Sequence, residues 1–175
     1  MDYRPTYPAP LRALSRVIDL ALVAGGISIV TLVFTNALLR GAAGFDLAWS
    51  LEVTAFLLLW TTFLGSAAAT ARGAHMRVTE IVEALIPVRG QRWLELAINL
   101  IVLTMMVSLI WYGISIAQHS WAQKTTVLYW PVGLLYASMP FGTACALLFH
   151  LFNLGYDLRH PHGLGEGDDA LEAPL

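Results

Sequence analysis

Four long apolar stretches dominate this chain of 175 residues and restrict how it can fold. They cover residues 17–39, 48–71, 93–117 and 131–154. A helix needs about 20 apolar residues to cross the hydrocarbon core of a bilayer, and each stretch is long enough. Because a backbone in lipid must satisfy its own hydrogen bonds, each stretch is predicted to form a membrane-spanning helix.

The composition supports a chain embedded in the lipid bilayer. Hydrophobic residues make up 57% of the sequence and charged residues only 13%, whereas soluble domains are about 25% charged. The net charge of −2 indicates no nucleic acid partner. The single cysteine, Cys145, excludes a disulfide or a thiolate metal cluster within one chain. The predicted fold class is therefore an all-α membrane protein with four transmembrane helices.

A short charged segment separates the second and third apolar stretches. Its apolar residues share one helical stripe at spacing i, i+3, i+4 and i+7: Val78, Ile81, Val82 and Leu85. Pro87 then stops the helix, which is too short to cross the bilayer. We therefore expect a short amphipathic helix over about 75–86, lying flat at the membrane interface. The alternative is an ordinary solvated connector.

The distribution of lysine and arginine predicts the orientation of the chain. Eight of the ten lie in the N-terminal segment, the connection after the second span and the tail, and only Arg40 and Lys124 lie in the other two connections. The positive-inside rule then places both termini in the cytoplasm. The chain divides into a cytoplasmic N-terminal arm (1–16), a four-helix transmembrane domain (17–154) and a flexible cytoplasmic tail (155–175).

Several residues within the spans are candidates for structural roles. Trp49 lies at a span end, where amphipathic rings favour the headgroup region. Trp60 and Trp111 lie deeper and are expected to pack against helices. Pro140 is expected to bend the fourth helix. Small residues recur four apart and indicate close helix packing: Ala21 and Gly25, Gly65 and Ala69, Gly133 and Ala137, Gly142 and Ala146.

No pattern in the sequence indicates an enzyme, a cofactor or a metal site. His119 and His150 are expected near opposite sides of a bilayer core of about 30 Å, too far apart to share one haem iron. The C-x-x-C-H run of a c-type haem is absent, as are G-x-S-x-G, H-E-x-x-H and a P-loop. A haem-binding redox subunit and a small stand-alone transporter are nevertheless retained as alternative functions.

Four charged residues near span ends are candidates for ion pairs. Asp19 lies in the first turns of the first span, and Arg16 at position i−3 is its expected partner. Arg40 and Glu52 flank the short connection between the first two spans, so a helical hairpin would bring them to similar depth. We expect them to pair with each other or with a partner subunit. The alternative is that each reaches water independently.

The chain resembles a known family over all four spans, about residues 12 to 155. The most specific feature is the pattern W-x4-G followed by R-G-x-H-x-x-V: Trp60, Gly65, Arg72, Gly73, His75 and Val78. Further matches are an arginine after the first span, a tryptophan and glutamate opening the second, and Pro-x-Gly in the fourth: Arg40, Trp49, Glu52, Pro140 and Gly142. Thr79 departs from the family, which often has an acid there. On these residues the chain is similar to the small membrane subunit (DctQ-like, Q subunit) of tripartite ATP-independent periplasmic (TRAP) transporters.

The resemblance implies a division of labour in the bacterial inner membrane. A periplasmic substrate-binding protein captures an organic acid, and a large TRAP membrane subunit moves it inward, driven by sodium. The small subunit scaffolds the large one and helps to dock the binding protein. The resemblance also implies subunit-interface or structural roles, without catalysis or cofactors, for the following residues: Arg40, Trp49, Glu52, Trp60, Gly65, Arg72, His75, Pro140 and Gly142.

Overall fold

The computed structural model describes residues 3–73 and 88–159, and their regular structure is helical. A 3₁₀ turn at Arg4–Thr6 is followed by five helices: α1 (Ala9–Ala43), α2 (Ala48–Ala71), α3 (Val88–His119), the short α4 (Val132–Tyr136) and α5 (Ser138–Arg159). Four segments are long and apolar enough to span a membrane, the last comprising α4 and most of α5. The prediction of an all-helical chain with four such spans is confirmed. The expected interfacial helix over about 75–86 lies outside the described residues.

Helix α1 begins well before the first apolar stretch and ends at a glycine. Pro8 precedes it and Pro10 lies in its first turn, where a missing backbone N–H costs nothing. Residues 9–16 of the expected arm therefore belong to α1. Gly44, at φ 64°, adopts the left-handed conformation that commonly ends a helix.

The connection from α1 to α2 is short and is fixed by a buried amide. The Oδ1 atom of Asn36 accepts a hydrogen bond from the backbone N–H of Leu47 at 2.8 Å. This bond satisfies a backbone donor at the start of α2 that has no partner within the helix. At the other end of α2, Gly73 has a φ of 65° and its N–H bonds to Thr70 O, so the helix stops there.

The last span is interrupted near Pro140, as the sequence indicates. The interruption lies at Ala137, between α4 and α5. Pro140 has no N–H with which to reach the carbonyl of Tyr136, so the α-helical ladder is broken at this point. The N–H of Ala137 still bonds to Gly133 O, and Phe141 N–H bonds to Ala137 O, so α5 follows α4 directly.

The long helices pack in a row rather than in a closed ring. Helix α1 packs on α2, α2 packs on α5, and α5 packs on α3, whereas no extensive contact joins α1 to α3 within the described residues. The N-terminal segment meets the ends of α2 and α5 at one end of the row, which we call the arm end. The opposite end carries the connections 44–47 and 120–131, and we call it the loop end.

Candidate functional site

Helices α2 and α5 come into close backbone contact where they cross. Gly142 is buried there, and a Cβ atom placed on it would lie 2.6 Å from Phe63 Cβ and 2.7 Å from the Phe63 carbonyl carbon. Small residues let two helix backbones approach this closely. The rest of this central contact is formed by buried side chains from both helices: Leu64, Ala67, Ala68, Ala71, Cys145, Ala146 and Phe149.

A second motif glycine, Gly65, is not needed for close packing. A Cβ atom on Gly65 would make an ordinary van der Waals contact of 3.9 Å with Leu22. The close approach of α1 to α2 occurs at Gly25 instead, where a Cβ atom would stand 2.6 Å from Thr61 Cγ2. Pro140 packs against α3, because its Cδ lies 2.9 Å from the Cβ position of Gly113.

Trp60 links α2 to the last span through a ring contact and a hydrogen bond. Its Nε1–H donates to the carbonyl of Leu134 at 3.3 Å, and its ring lies 5.7 Å from Phe56 and 5.6 Å from Phe141. The prediction that Trp60 packs against helices is confirmed. The same prediction is wrong for Trp111, which is 75% exposed on α3, because no helix within residues 3–73 and 88–159 covers that face.

The motif arginine, Arg72, joins α2 to α1 at the arm end. Its Nη2 lies 2.6 Å from Asp19 Oδ1, and Arg4 Nη1 approaches the other oxygen of that carboxylate at 3.3 Å. The expected partner, Arg16, forms no ion pair with the described residues. Asp19 pairs with Arg72 instead because Arg72, at the end of α2, lies beside α1 at the depth of Asp19. The following Gly73 ends α2 and so fixes where Arg72 stands.

A second polar cluster at the arm end is buried, and it was missed from the sequence. The Tyr7 hydroxyl donates to Asn153 Oδ1 at 2.7 Å, and it also lies 3.3 Å from Ala71 O. Asn153 Nδ2 donates in turn to Thr70 O at 3.0 Å. The Tyr7 ring stacks on Phe149 with 5.5 Å between centroids. The N-terminal segment is thereby tied to α2 and α5, and an asparagine within an apolar span was the signal that could have found this cluster.

At the loop end, Glu52 binds backbone rather than an arginine. Its two carboxylate oxygens accept hydrogen bonds from the N–H groups of Val127 and Leu128, at 2.8 and 2.9 Å. The expected pair of Glu52 with Arg40 is therefore wrong for this chain by itself. Arg40 is exposed in the last turn of α1 and forms no ion pair with the described residues.

The remaining candidates do not join these clusters. Trp49 lies in the first turn of α2 and is 40% exposed, while His75 lies outside the described residues. Among residues 3–73 and 88–159, no group of three His, Cys, Asp or Glu side chains could hold a metal ion. The described residues thus form helix contacts and polar clusters at the two ends of the row.

Comparison with known proteins identifies the family of this chain. The family model described as "Tripartite ATP-independent periplasmic transporters, DctQ component" matches residues 29–160. One similar protein is the "Ectoine TRAP transporter small permease protein TeaB" of Halomonas elongata, which is 28% identical over 141 residues. That match covers 79% of this chain and 72% of the Halomonas protein. This chain belongs to the DctQ component family of tripartite ATP-independent periplasmic (TRAP) transporters.

Proposed function

We propose that this small permease subunit scaffolds the large membrane subunit of a TRAP transporter and helps to dock its periplasmic substrate-binding protein. The transporter would carry an organic acid inward, driven by sodium, across the bacterial inner membrane. The observation that supports the proposal is the row of helices, which has a tightly packed centre and bare outer helices. Such a row offers broad faces to a partner.

The burial of the spans differs in the way expected of a scaffold. The buried share of the most apolar part is 11% in α1, 17% in α3 and 22% in α2, against 44% in the last span. The most extensive helix contact joins α2 to α5, while α1 and α3 keep most of their surface for lipid or another protein. Contact between backbones at Gly142 makes the centre rigid.

We place the large subunit against the outer face of α3. Trp111 and Tyr112 are both strongly exposed there. The hydroxyl of Tyr112 forms no hydrogen bond with the described residues, although it lies within the span. A polar group in the membrane without a partner is costly. A protein partner could supply a hydrogen-bond acceptor and cover the indole ring, whereas lipid tails could only cover the ring.

We place the binding protein at the loop end, which faces the periplasm if both termini are cytoplasmic. The connection 120–131 exposes Trp121, Val127 and Tyr129 there. Because Glu52 holds the N–H groups of Val127 and Leu128, these side chains are presented from a fixed backbone. A fixed backbone loses little conformational entropy when a partner binds.

The substrate class follows only from the family. The name of the Halomonas protein assigns ectoine to its own transporter, and for this chain we propose the wider class of organic acids. Membership of the family favours neither a haem-binding redox subunit nor a small stand-alone transporter.

Co-purification and transport together test the proposal. The chain should leave the membrane in mild detergent together with a large subunit. Replacing both Trp111 and Tyr112 with alanine should reduce that recovery, whereas Phe34→Ala, an equally bare position on α1, should not. Proteoliposomes should take up substrate only when the large subunit, the binding protein and a sodium gradient are all present. Uptake by this chain alone would overturn the scaffold assignment.

A further inference from the structure

An open cleft of about 430 Å³ lies at the arm end, against the first turns of α1. Four of its lining residues are spaced i, i+3, i+4 and i+7 along the helix: Arg12, Ser15, Arg16 and Asp19. Two more come from the segment before the helix: Arg4 and Pro5. The spacing puts the four helical residues on one face of α1. The apolar part of α1 begins directly after Arg16, so the cleft lies at the depth of lipid headgroups.

The cleft carries a net positive charge. Three arginines line it against one carboxylate, that of Asp19, which is also held by Arg72 from outside the cleft. Arg12 is fixed in place, since its Nη2 donates to the carbonyls of Pro5 and Tyr7, both at 3.1 Å. Arg16 is exposed and forms no ion pair with the described residues. An anion in the cleft would therefore meet a prepositioned charge and an uncompensated one.

Ser15 gives an independent indication of a ligand. The residue is only 5% exposed, yet it lines the cleft. Its hydroxyl forms no hydrogen bond with the part of the chain that the structure describes. Farther along α1, the hydroxyl of Ser28 instead donates to the carbonyl of Ala24, four residues before it. Because the hydroxyl oxygen is not itself buried, it can donate to an acceptor oxygen of a ligand in the cleft.

The surface next to the cleft is apolar. Val17, Leu20 and Val23 follow it along α1, and each is more than half exposed. A ligand that places an anionic oxygen between Arg12 and Arg16 could therefore lay hydrocarbon along the helix. A free inorganic anion would use the charges and leave this surface uncovered. Basic pockets at the membrane interface are suited to anionic lipid headgroups.

We propose that this cleft binds the phosphate of an anionic phospholipid, whose acyl chains lie along α1. Arg12 and Arg16 hold the phosphate oxygens, and Ser15 donates a hydrogen bond to one of them. The site goes beyond the scaffold role and does not depend on it, because all of its residues belong to this chain.

Lipid retention on the full chain, purified in mild detergent with any subunit that accompanies it, tests the site. Bound phosphatidylglycerol and phosphatidylethanolamine would be counted by native mass spectrometry during titration. We expect phosphatidylglycerol to bind more tightly. Arg16→Gln should weaken that binding about fivefold, the effect of one interfacial arginine, and Arg16→Lys should largely retain it. Arg40→Gln, which removes an exposed arginine from the other end of α1, should leave it unchanged.

Two results would overturn the assignment. One is equal binding of the two lipids by the unaltered chain, or equal binding of phosphatidylglycerol by the Arg16→Gln and Arg40→Gln variants. The other is displacement of phosphatidylglycerol by millimolar inorganic phosphate, which would make the cleft a site for a soluble anion. Persistence of the bound lipid in phosphate, together with the loss in Arg16→Gln, supports the site.

Discussion

Gly142 lies against the backbone of Phe63, so closely that a methyl group on the glycine would stand 2.6–2.8 Å from three Phe63 atoms. Two of those atoms belong to the backbone, so no side-chain rotation can move them away. Gly142→Ala should therefore force α5 away from α2 and destabilise the chain by about 1–3 kcal/mol, the usual cost of overpacking. The measurement is the thermal unfolding midpoint in detergent.

Gly65→Ala is the matched control for that substitution. It also places alanine in a membrane helix, but its methyl group has 3.9 Å of room to Leu22. We expect its unfolding midpoint to equal or slightly exceed that of the unaltered chain, because alanine favours a helix over glycine. Equal midpoints for the two variants would show that the crossing of α2 and α5 is not closely packed.

Tyr7→Phe should destabilise the arm end by about 1–3 kcal/mol, because it leaves the buried Oδ1 of Asn153 without its donor. The stacked ring remains, so the loss isolates the hydroxyl. Tyr112→Phe, at an exposed tyrosine, should leave the unfolding free energy of the isolated chain unchanged. Combining Tyr7→Phe with Asn153→Leu should cost less than the sum of the two single changes. Strict additivity would contradict the hydrogen bond.

Glu52→Gln should loosen the connection 120–131 without unfolding the helices. The neutral amide is a weaker acceptor than a carboxylate. It also has a single oxygen, so it cannot accept from each of the two N–H groups with a separate oxygen as the carboxylate does. Hydrogen exchange at Val127 and Leu128 should accelerate severalfold. Asp46→Asn removes an exposed acid at the same end and should leave hydrogen exchange at both amides unchanged. Unchanged protection in Glu52→Gln would mean that the carboxylate does not hold the loop.

A double-mutant cycle tests Arg72 against Arg16 as a partner of Asp19. The side chains of Asp19 and Arg72 are partly exposed, so Asp19→Asn should cost no more than about 1 kcal/mol. Its effect should overlap with that of Arg72→Gln and should simply add to that of Arg16→Gln. The reverse pattern, measured by unfolding in the same detergent, would favour the pair predicted from the sequence.

We predict that both termini lie in the cytoplasm. The contact of Tyr3 with Tyr156, at 6.3 Å between ring centroids, places the two ends on the same side, and the lysine and arginine distribution selects that side. A cysteine at Lys124 should react in whole cells with a membrane-impermeant reagent, and one at Thr6 should be protected. Native Cys145 is buried and gives little background. The opposite labelling would invert the topology.

The spans could be predicted because their signal is local. A bilayer needs a continuous apolar length, and α2 occupies the residues of the second apolar stretch. The site contacts were harder, since they join residues far apart in the chain. Asp19 meets Arg72 across 53 positions, whereas helical spacing indicates only partners in neighbouring turns.

Two further errors have the same physical origin. The partners of Glu52 are backbone N–H groups, 75 and 76 positions away, and any residue can supply those, so no letter in the sequence marks them. Trp111 was expected to pack against helices because it lies deep within its span. That expectation assumed a closed bundle, and hydropathy cannot distinguish a ring of helices from a row.

The row also determines the order in which the chain can be assembled during synthesis. Helices α1 and α2 are neighbours in sequence, so their hairpin can form as soon as both have entered the bilayer. The face of α2 that carries Phe63, Leu64 and Ala67 packs against α5, which is synthesised only after α3 and α4. Helix α3 also packs on α5. The central contact therefore cannot form until α5 has entered the bilayer, and until then that face of α2 is open to lipid or to another protein.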